Sequence, residues 1–490
     1  MRCICKVLAM LLLLSLIGMF TLSGCSVEGL YMRRDLEAEG ESNSRLSDTE
    51  KDAQTATQDG GMLDEVKDDG TIRKGDYGIK DAKQDLLEPE HGGKQSEQKP
   101  NAQSNNAQNP KNSQSASSLE TQIESYINKM TLKEKVGQML SVGFDGLEPS
   151  PAIKDMIQNY HVGSVILFPR NVKDSMQLVS LINQLKALNK NNPLPLIISA
   201  DQEGGKVNRL PEDATRFPAN LILGRRNSVQ LAYDVGRVTA VEMRAYGFNL
   251  NFAPVLDIFS NPRNTVIGER ALGTNPEVVV RLGVALMKGL KDGGVIPVIK
   301  HFPGHGDTVM DSHVDLPRLD HDMQRLKSFE LIPFKQAIEE GADTVMVAHI
   351  MFPNITKEKV PASLSREIIT GMLRQELGFE GVVISDDMEM GAIQKNYGIG
   401  DAAVRAVLAG TDIVLICHTY EKQKQAFEAI IKAVHDGTIP MERIDESVRR
   451  IIALKLKYGL TDEPVDASSI PQIVGIQEHR AVADRAWGRE

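Results

Sequence analysis

Gly381-Val-Val-Ile-Ser-Asp-Asp387 is an apolar run that ends on two adjacent carboxylates. A short, continuous apolar run of this kind is typical of a strand in a parallel sheet that is covered on both faces. Seven similar runs occur between residues 139 and 416. The eight predicted strands lie near Met139–Phe144, Ser164–Phe168, Leu194–Ala200, Leu250–Leu256, Val295–Ile299, Thr344–Ala348, Gly381–Ser385 and Asp412–Ile416.

Amphipathic stretches separate these runs, and together they predict an alternation of strands and helices. Thr131-Leu-Lys-Glu134 indicates a capping box that opens a helix. Eight such units over about 340 residues predict an α/β fold, a TIM-like (β/α)8 barrel. The alternative is an open doubly wound sheet, which is disfavoured because no Gly-x-Gly-x-x-Gly follows the first strand. The predicted helices include Ser175–Leu188, Val229–Tyr246, Glu277–Lys291, Met323–Glu340, Arg366–Glu376 and Glu421–Val434.

The predicted strands end on chemically reactive side chains. The active site of such a barrel lies at the C-terminal ends of its strands, so these residues should meet at one rim. Six of the eight predicted strands end on an ionisable residue, which favours an enzyme, although a single polar strand end could merely cap the next helix. These residues are Asp201, Asp257, Lys300, His301, His349, Asp386, Asp387 and His418.

The densest polar segment is Lys300-His-Phe-Pro-Gly-His-Gly-Asp-Thr308. His301 and His305 are four residues apart, a spacing that aligns two metal ligands only on a helix, and Pro303 argues against a helix here. Another glycine-containing stretch, Asp201-Gln-Glu-Gly-Gly-Lys206, lacks the spacing of a phosphate-binding loop. We therefore expect no metal and no cofactor.

Asp311 and His313 follow the same segment, two residues apart. Residues two apart in an extended chain point to the same side, so the carboxylate can reach the imidazole. Such a pair is a candidate general acid–base, in which the carboxylate orients the ring and stabilises the imidazolium. The alternative is a loop pair bonded to nearby backbone. Asp386 is a candidate nucleophile because a strand delivers it to the rim, with Asp387 as the alternative.

These motifs together resemble those of family 3 glycoside hydrolases, more specifically the β-N-acetylglucosaminidase branch. The resemblance extends over about residues 119–460 and is carried by the motifs Asp201-Gln-Glu-Gly-Gly205, Gly268-Glu-Arg270, Lys300–Thr308 with Asp311-Ser-His313, and Ile384-Ser-Asp-Asp-Met388.

The resemblance implies a retaining hydrolase. Asp386 would attack the anomeric carbon, while His313, paired with Asp311, would protonate the leaving oxygen and later deprotonate the attacking water. This arrangement departs from the two carboxylates that retaining glycosidases usually employ. The resemblance also implies sugar-binding roles for Asp201, Arg270, Lys300 and His301, and supporting roles for Glu203, His305, Asp307 and His349.

The substrate implied by the resemblance is a terminal, non-reducing β-linked N-acetylglucosamine (GlcNAc), as found in muropeptides and other cell-wall fragments. A β-glucosidase or another family 3 exo-glycosidase is one alternative. A non-catalytic sugar-binding lipoprotein is another, from a different functional class. The aglycone, and whether phosphate can replace water as the acceptor, stay open.

The N-terminus has the order of a bacterial lipoprotein signal. Arg2 and Lys6 precede the apolar run Leu8–Phe20, and Leu22-Ser-Gly-Cys25 follows it. Residues 1–24 are therefore predicted to be a signal peptide. Cys25 is predicted to carry the lipid that holds the protein on the outer face of the bacterial cytoplasmic membrane. An uncleaved signal anchor is the alternative.

Residues 25–117 are predicted to form a disordered acidic tether. Residues 26–117 contain 19 acidic and 12 basic residues, so they account for −7 of the chain's net charge of −10. This acidic balance argues against nucleic-acid binding. Residues 118–460 are predicted to form the catalytic barrel, and 461–490 a linker and the truncated start of a second α/β domain. A monomer without disulfides is expected, because processing leaves Cys417 without a partner.

Overall fold

The computed structural model describes residues 110–490 of the chain. The predicted signal peptide, Cys25 and the predicted tether up to residue 109 lie outside this range. Within it, no helix combines the length and the apolar character that crossing a bilayer requires.

Eight strands in the described part of the chain form one closed parallel sheet. Neighbouring strands pair in chain order, and the first pairs with the last, Leu140 opposite Val414 and Val142 opposite Ile416. Every strand residue is buried. The predicted (β/α)8 barrel is therefore confirmed. The strands are β1 (Leu140–Val142), β2 (Ser164–Ile166), β3 (Ile197–Ala200), β4 (Leu250–Asn251), β5 (Ile296–Phe302), β6 (Thr344–Val347), β7 (Val382–Ser385) and β8 (Val414–Ile416).

Helices alternate with these strands, and the predicted capping box at Thr131 is present. The predicted helix Met323–Glu340 is two helices instead, because Pro333 has no N–H to donate to the carbonyl of Phe329. The predicted helix Arg366–Glu376 is a π-helix, Glu367–Glu376. The α-helices are α1 (Pro110–Lys129), α2 (Leu132–Gln138), α3 (Pro151–Gln158), α4 (Ser175–Leu188), α5 (Asn220–Arg226), α6 (Val229–Tyr246), α7 (Pro276–Asp292), α8 (Met323–Ser328), α9 (Ile332–Glu339), α10 (Gly391–Gln394), α11 (Ile399–Ala409), α12 (Tyr420–His435), α13 (Met441–Lys457), α14 (Ile470–Ile473) and α15 (Gln477–Trp487). Short 3-10 helices cover Pro169–Asn171, Gly268–Arg270, Ala362–Leu364 and Ala467–Ser469.

Two strands have bounds that differ from the prediction in ways that matter for the rim. β4 ends at Asn251 rather than at Leu256, because Pro254 has no N–H to donate to a neighbouring strand. β5 continues to Phe302 rather than ending at Ile299. Lys300 and His301 therefore belong to a strand, but they lie at a register shift between β5 and β6. The backbone of Lys300 bonds instead to Pro254 and Leu256, and the N–H of His301 donates to the carboxylate of Asp257.

The N-terminal ends of the strands are fastened by Lys455 of α13. Its buried ammonium donates hydrogen bonds to Oε1 of Gln138 (2.6 Å) and to the carbonyl oxygens of Gly163 (3.1 Å) and Pro195 (2.7 Å). These three residues lie just upstream of β1, β2 and β3. Burial lowers the pKa of Lys455 to about 7. One side chain thus ties together the starts of three neighbouring strands.

A second buried group, Asp412, joins the outer helices to the sheet just before β8. Its carboxylate is fully buried and pairs with three guanidinium groups, those of Arg374, Arg443 and Arg450. It also accepts a hydrogen bond from the backbone N–H of Val383 in β7 (2.9 Å). The same charge therefore holds the π-helix and α13 against the point where the barrel closes.

The segment 461–490 lies against the barrel. The buried carboxylate of Glu242 in α6 accepts hydrogen bonds from the N–H of Gly475 (2.9 Å) and from Nδ1 of His479 (2.8 Å). The last helix, α15, packs on α6. Residues 461–490 are thus part of the outer layer of the barrel, and a second domain stays a prediction.

The first helix also begins earlier than the predicted barrel boundary. α1 starts at Pro110, eight residues before residue 118. Ile123 and Ile127 are buried, and Arg449 of α13 pairs with Glu120 and Glu124. These contacts anchor the helix on α13 and let it extend upstream into polar sequence that was predicted to be disordered.

We expect Asp412→Asn to lower the free energy of unfolding by about 3–5 kcal/mol, because it removes the buried charge that three partly buried guanidinium groups share. Chemical denaturation of the purified protein measures this change. The matched control is Asp401→Asn, which removes a carboxylate from an exposed pair with Arg405 on α11 and should change the stability by less than about 0.5 kcal/mol. Equal effects of the two variants would contradict the role assigned to Asp412.

Candidate active site

A cavity of about 450 Å³ opens at the C-terminal ends of the strands. Its apolar lining includes Ile166, Met346 and Leu415, which come from β2, β6 and β8. All seven residues predicted for the site line this one cavity: Asp201, Arg270, Lys300, His301, Asp311, His313 and Asp386. Six of the eight strand-end residues named from the sequence line it, whereas Asp257 and His349 do not.

Asp386 follows β7 directly and faces the cavity. Its Oδ1 accepts a hydrogen bond from the N–H of Asp387 (2.8 Å), and no donor in residues 110–490 bonds to its other oxygen. Burial opposes ionisation of this carboxyl. The polar rings of His349 and His301 and the N–H of Asp387 more than offset burial and hold the pKa of Asp386 below its usual range. The site thus presents a carboxylate oxygen that has no hydrogen-bond partner within residues 110–490.

Asp387, the alternative nucleophile, is engaged by the protein. Its Oδ1 accepts hydrogen bonds from the N–H groups of Glu389 (3.0 Å) and Cys417 (3.1 Å). Its Oδ2 lies 3.1 Å from Nε2 of His418, and this contact raises the pKa of His418. Since both oxygens of Asp387 already have partners, Asp386 is the better candidate for a nucleophile.

Asp311 and His313 form the predicted pair on the segment after β5. Oδ1 of Asp311 accepts hydrogen bonds from the backbone N–H of His313 (2.8 Å) and from its Nδ1 (2.8 Å). Burial opposes ionisation of Asp311, but these bonds hold its pKa below the usual range. The imidazole is 67% exposed, and its Nε2 has no partner within residues 110–490. The geometry leaves that nitrogen available for proton transfer.

A chain of alternating charges runs along one wall of the cavity. The ammonium of Lys300 is almost fully buried between Asp201 (2.6 Å) and Glu203 (2.7 Å). Glu203 in turn pairs with Arg270 through two parallel hydrogen bonds of 2.7 and 2.9 Å. Burial opposes these charges, yet Arg270 and Lys300 hold the pKa of Glu203 far below its usual range. Glu203 therefore fixes the two cations that the resemblance assigns to sugar binding.

His301 is oriented by a buried carboxylate, Asp257. Oδ2 of Asp257 lies 2.6 Å from Nδ1 of His301, and its Oδ1 accepts the N–H of His305 (2.6 Å). Both ring nitrogens of His305 are occupied, by Thr308 (2.8 Å) and Ser312 (3.2 Å). Burial lowers the pKa of His305 to about 4. His305 lines the cavity, but both of its ring nitrogens are bonded to side chains of its own segment, so it is not available as a base.

Arg209 lines the cavity and was not found from the sequence. Within the described part of the chain its guanidinium has no carboxylate partner, and its buried Nε makes no hydrogen bond. The side chain's only hydrogen bond in residues 110–490 is a long one, 3.4 Å, to the carbonyl of Asn208. The only signal in the sequence was a cation eight residues after Asp201, in a long connection with no recognised pattern. Arg209 thus adds an uncompensated positive charge to the wall.

The comparisons with known proteins agree with this geometry. Residues 131–454 match the family described as "Glycosyl hydrolase family 3 N terminal domain". The chain therefore belongs to glycosyl hydrolase family 3, as its motifs suggested.

Similar proteins also indicate the branch. The chain is 35% identical over 367 residues to beta-hexosaminidase A of Pseudoalteromonas piscicida, which covers 67% of this chain and 61% of that protein. It is 40% identical over 263 residues to a beta-hexosaminidase of Thiobacillus denitrificans, covering 52% and 72%. A solved family 3 beta-N-acetylglucosaminidase from Paenibacillus sp. str. FPU-7 superposes with a TM-score of 0.69 at 44% identity, covering 73% of this chain and 68% of that one. The prediction of a glycoside hydrolase of the β-hexosaminidase branch is confirmed, although the chain spans less than two thirds of the first of these relatives.

His349 gives the site a pH-dependent contribution to stability. It is fully buried, with Nδ1 on the hydroxyl of Ser363 (2.7 Å) and Nε2 on the carbonyl of Asp387 (2.9 Å). Burial lowers its pKa, so the folded state binds fewer protons than the unfolded state below about pH 6.5. The stability that depends on neutral His349 is therefore present above about pH 6.5 and is lost as the pH falls below that value.

We expect the free energy of unfolding of the wild type to fall more steeply below pH 6.5 than that of His349→Asn, with a slope difference of up to about 1.4 kcal/mol per pH unit. Denaturation series between pH 7.5 and about pH 4.5, the range in which histidine titrates, measure the two slopes. The matched control is His435→Asn, which removes an exposed histidine at the end of α12. Identical slopes for the wild type and His349→Asn would contradict the prediction.

Proposed function

We propose that this protein is a retaining exo-β-N-acetylglucosaminidase. One observation carries the proposal: the unpartnered oxygen of Asp386 and the Asp311–His313 pair face the same cavity. A nucleophile and a separate acid–base are the two groups that a double-displacement reaction needs. The branch of the family to which the chain belongs supports the choice of sugar.

The first step transfers the sugar to the protein. An oxygen of Asp386 attacks the anomeric carbon while the bond to the aglycone oxygen breaks. That oxygen takes the proton from Nε2 of His313, and the products are a glycosyl ester on Asp386 and a free alcohol. Asp311 stabilises the imidazolium before the proton leaves, because its carboxylate bonds to the opposite ring nitrogen.

The second step releases the sugar and restores the starting state. Nε2 of His313, now neutral, takes a proton from water as the water oxygen attacks the anomeric carbon. The ester bond breaks, and Asp386 leaves as a carboxylate. Two inversions return the sugar with its original β configuration.

The wall of the cavity suits one sugar residue. Asp201, Lys300 and Arg270 present donors and acceptors that can pair with pyranose hydroxyl groups, and Arg209 adds an unused guanidinium. A cavity of about 450 Å³ closed beneath by the barrel accepts the end of a glycan rather than its middle. The proposed action is therefore removal of the terminal, non-reducing residue.

The proposed substrates are GlcNAc-containing fragments of the cell wall. The support is the N-terminal sequence, which predicts export and lipid anchoring at Cys25 on the outer face of the cytoplasmic membrane. An enzyme held there meets peptidoglycan fragments directly, without a transport step.

Turnover of aryl glycosides tests the proposal. We expect hydrolysis of aryl β-N-acetylglucosaminide to exceed that of the aryl β-glucoside by at least about 100-fold in kcat/KM, because a site built around a polar substituent strongly rejects the analogue that lacks it. Asp386→Asn should abolish turnover, and His313→Ala should lower kcat severely. Asp401→Asn, on the outer surface, is the matched control with wild-type rates.

Four outcomes would contradict parts of this proposal. Preference for the glucoside would make the protein a family 3 β-glucosidase. Binding without turnover would make it a sugar-binding protein. Formation of a sugar phosphate when phosphate is added would make it a phosphorylase. Mass spectrometry after trapping with a fluorinated substrate analogue identifies the nucleophile, and a label on any residue other than Asp386 would overturn its assignment.

The proposed membrane anchor is tested separately with the full chain in a bacterial host. We expect the wild type to partition into the detergent phase and Cys25→Ser to lose the lipid, because the thiol is the acylation site. Cys417→Ser, which changes a buried thiol in the barrel, should partition like the wild type. Lipid attachment in Cys25→Ser, detected by mass spectrometry, would contradict the anchor, and an uncleaved N-terminus in the wild type would indicate a signal anchor.

A further inference from the structure

Three metal-ligating side chains meet behind the segment that carries the Asp311–His313 pair. Asp307 lies at the start of this segment, His321 at its end, and Glu330 between α8 and α9. One ligand atom of each lies within 4.8 Å of the other two. Nε2 of His321 is 3.1 Å from Oδ2 of Asp307 and 3.6 Å from Oε1 of Glu330. None of the three contributes to the lining of the catalytic cavity.

The imidazole of His321 has an unused nitrogen at the centre of this group. Solvent does not reach its Nε2, and within residues 110–490 that atom makes no hydrogen bond. The Asp307 oxygen is close enough, but it lies outside the directions in which the ring nitrogen bonds well. Buried polar atoms nearly always have a partner. A ring nitrogen left without one between two carboxylates therefore points to a missing ligand.

We propose that Asp307, His321 and Glu330 bind a divalent transition-metal ion, with Zn²⁺ as the best match. One imidazole and two carboxylates are ligands that Zn²⁺ accepts in a tetrahedral site, with water in the fourth position. At bond lengths of about 2.0–2.1 Å, two ligands of such a site are about 3.3 Å apart. The observed separations of 3.1 and 3.6 Å lie on either side of that value.

The charges around the group favour a cation. Asp307 pairs with no lysine or arginine in residues 110–490, whereas Glu330 pairs with Arg325 at 2.8 Å. Two carboxylates and one guanidinium leave a net charge of −1, which a divalent ion reverses. Arg325 weakens the affinity, because it donates hydrogen bonds to both carboxylate oxygens of Glu330.

The spacing of these ligands explains why no sequence motif indicated the site. They are separated by 14 and 9 residues, a pattern that matches no common zinc motif. The ion would join Asp307 to His321 and so connect the two ends of the segment that presents His313. It would thereby fasten this segment to α8 and α9 from the side that faces away from the substrate.

Zinc binding to the purified full chain tests the proposal. Protein treated with a chelator is dialysed, titrated with Zn²⁺ and assayed for bound metal by mass spectrometry. We expect one ion per wild-type chain and a rise in the thermal midpoint that saturates with the ion. Asp307→Asn and His321→Gln should each weaken binding by at least about 100-fold, since loss of a ligand costs more than loss of an outer partner.

The matched control is His313→Gln, which removes the exposed catalytic imidazole and leaves this group intact, so zinc binding should not change. Thermal unfolding without metal shows whether each variant is folded. If His321→Gln does not fold, Asp307→Asn and Glu330→Gln provide the test. Absence of bound zinc in the wild type would overturn the proposal. Zinc that persists in both Asp307→Asn and His321→Gln but is lost in His313→Gln would also overturn it, because the ion would then belong to the catalytic pair.

Discussion

Closure of the parallel sheet is the constraint on which the rest of this structure depends. Because β1 pairs with β8 in the same direction as every other pair, the C-terminal ends of all eight strands must share one rim. Residues that are far apart in the chain, such as Asp201 and Asp386, therefore line the same cavity. Lys455 secures the opposite end of the barrel, and Asp412 secures the point of closure. The active site is thus a geometric result of how the sheet closes.

The rim carries several charged side chains whose burial would be unfavourable if they had no partners. Buried charges persist when each has a partner of opposite sign and good hydrogen-bond geometry. The run from Asp201 through Lys300 and Glu203 to Arg270 meets that requirement, as does the pair of His301 and Asp257. Once these pairs are formed, few polar groups at the rim lack a hydrogen-bond partner. The groups that do lack one indicate where a substrate would bind. One oxygen of Asp386, Nε2 of His313 and the guanidinium of Arg209 face the cavity, where a substrate would meet them.

The local pattern of the sequence predicted the strands and most of the helices, but it did not predict all of their end residues. Apolar runs located all eight strands, and periodicity located α4 and α6 to the residue. The errors have local causes: Pro254 ends β4 early, and Pro333 divides a predicted helix. Contacts between residues that are far apart in the chain could not be predicted from the local pattern. Glu203 and Arg270 are 67 residues apart, so their pairing was not predicted. Arg209 belongs to no recognised motif, so its place in the cavity wall was not predicted either.

The sequence by itself determined the fold class, the family and the seven predicted residues that line the cavity. Those features follow from runs of neighbouring residues, whose hydrophobic period and motif spacing are properties of the chain alone. Tertiary structure decided which of these residues are free to act. It occupied both oxygens of Asp387 and left one of Asp386 open, and it brought Asp307, His321 and Glu330 together. Availability depends on partners supplied by distant parts of the chain, and only folding brings them within bonding distance.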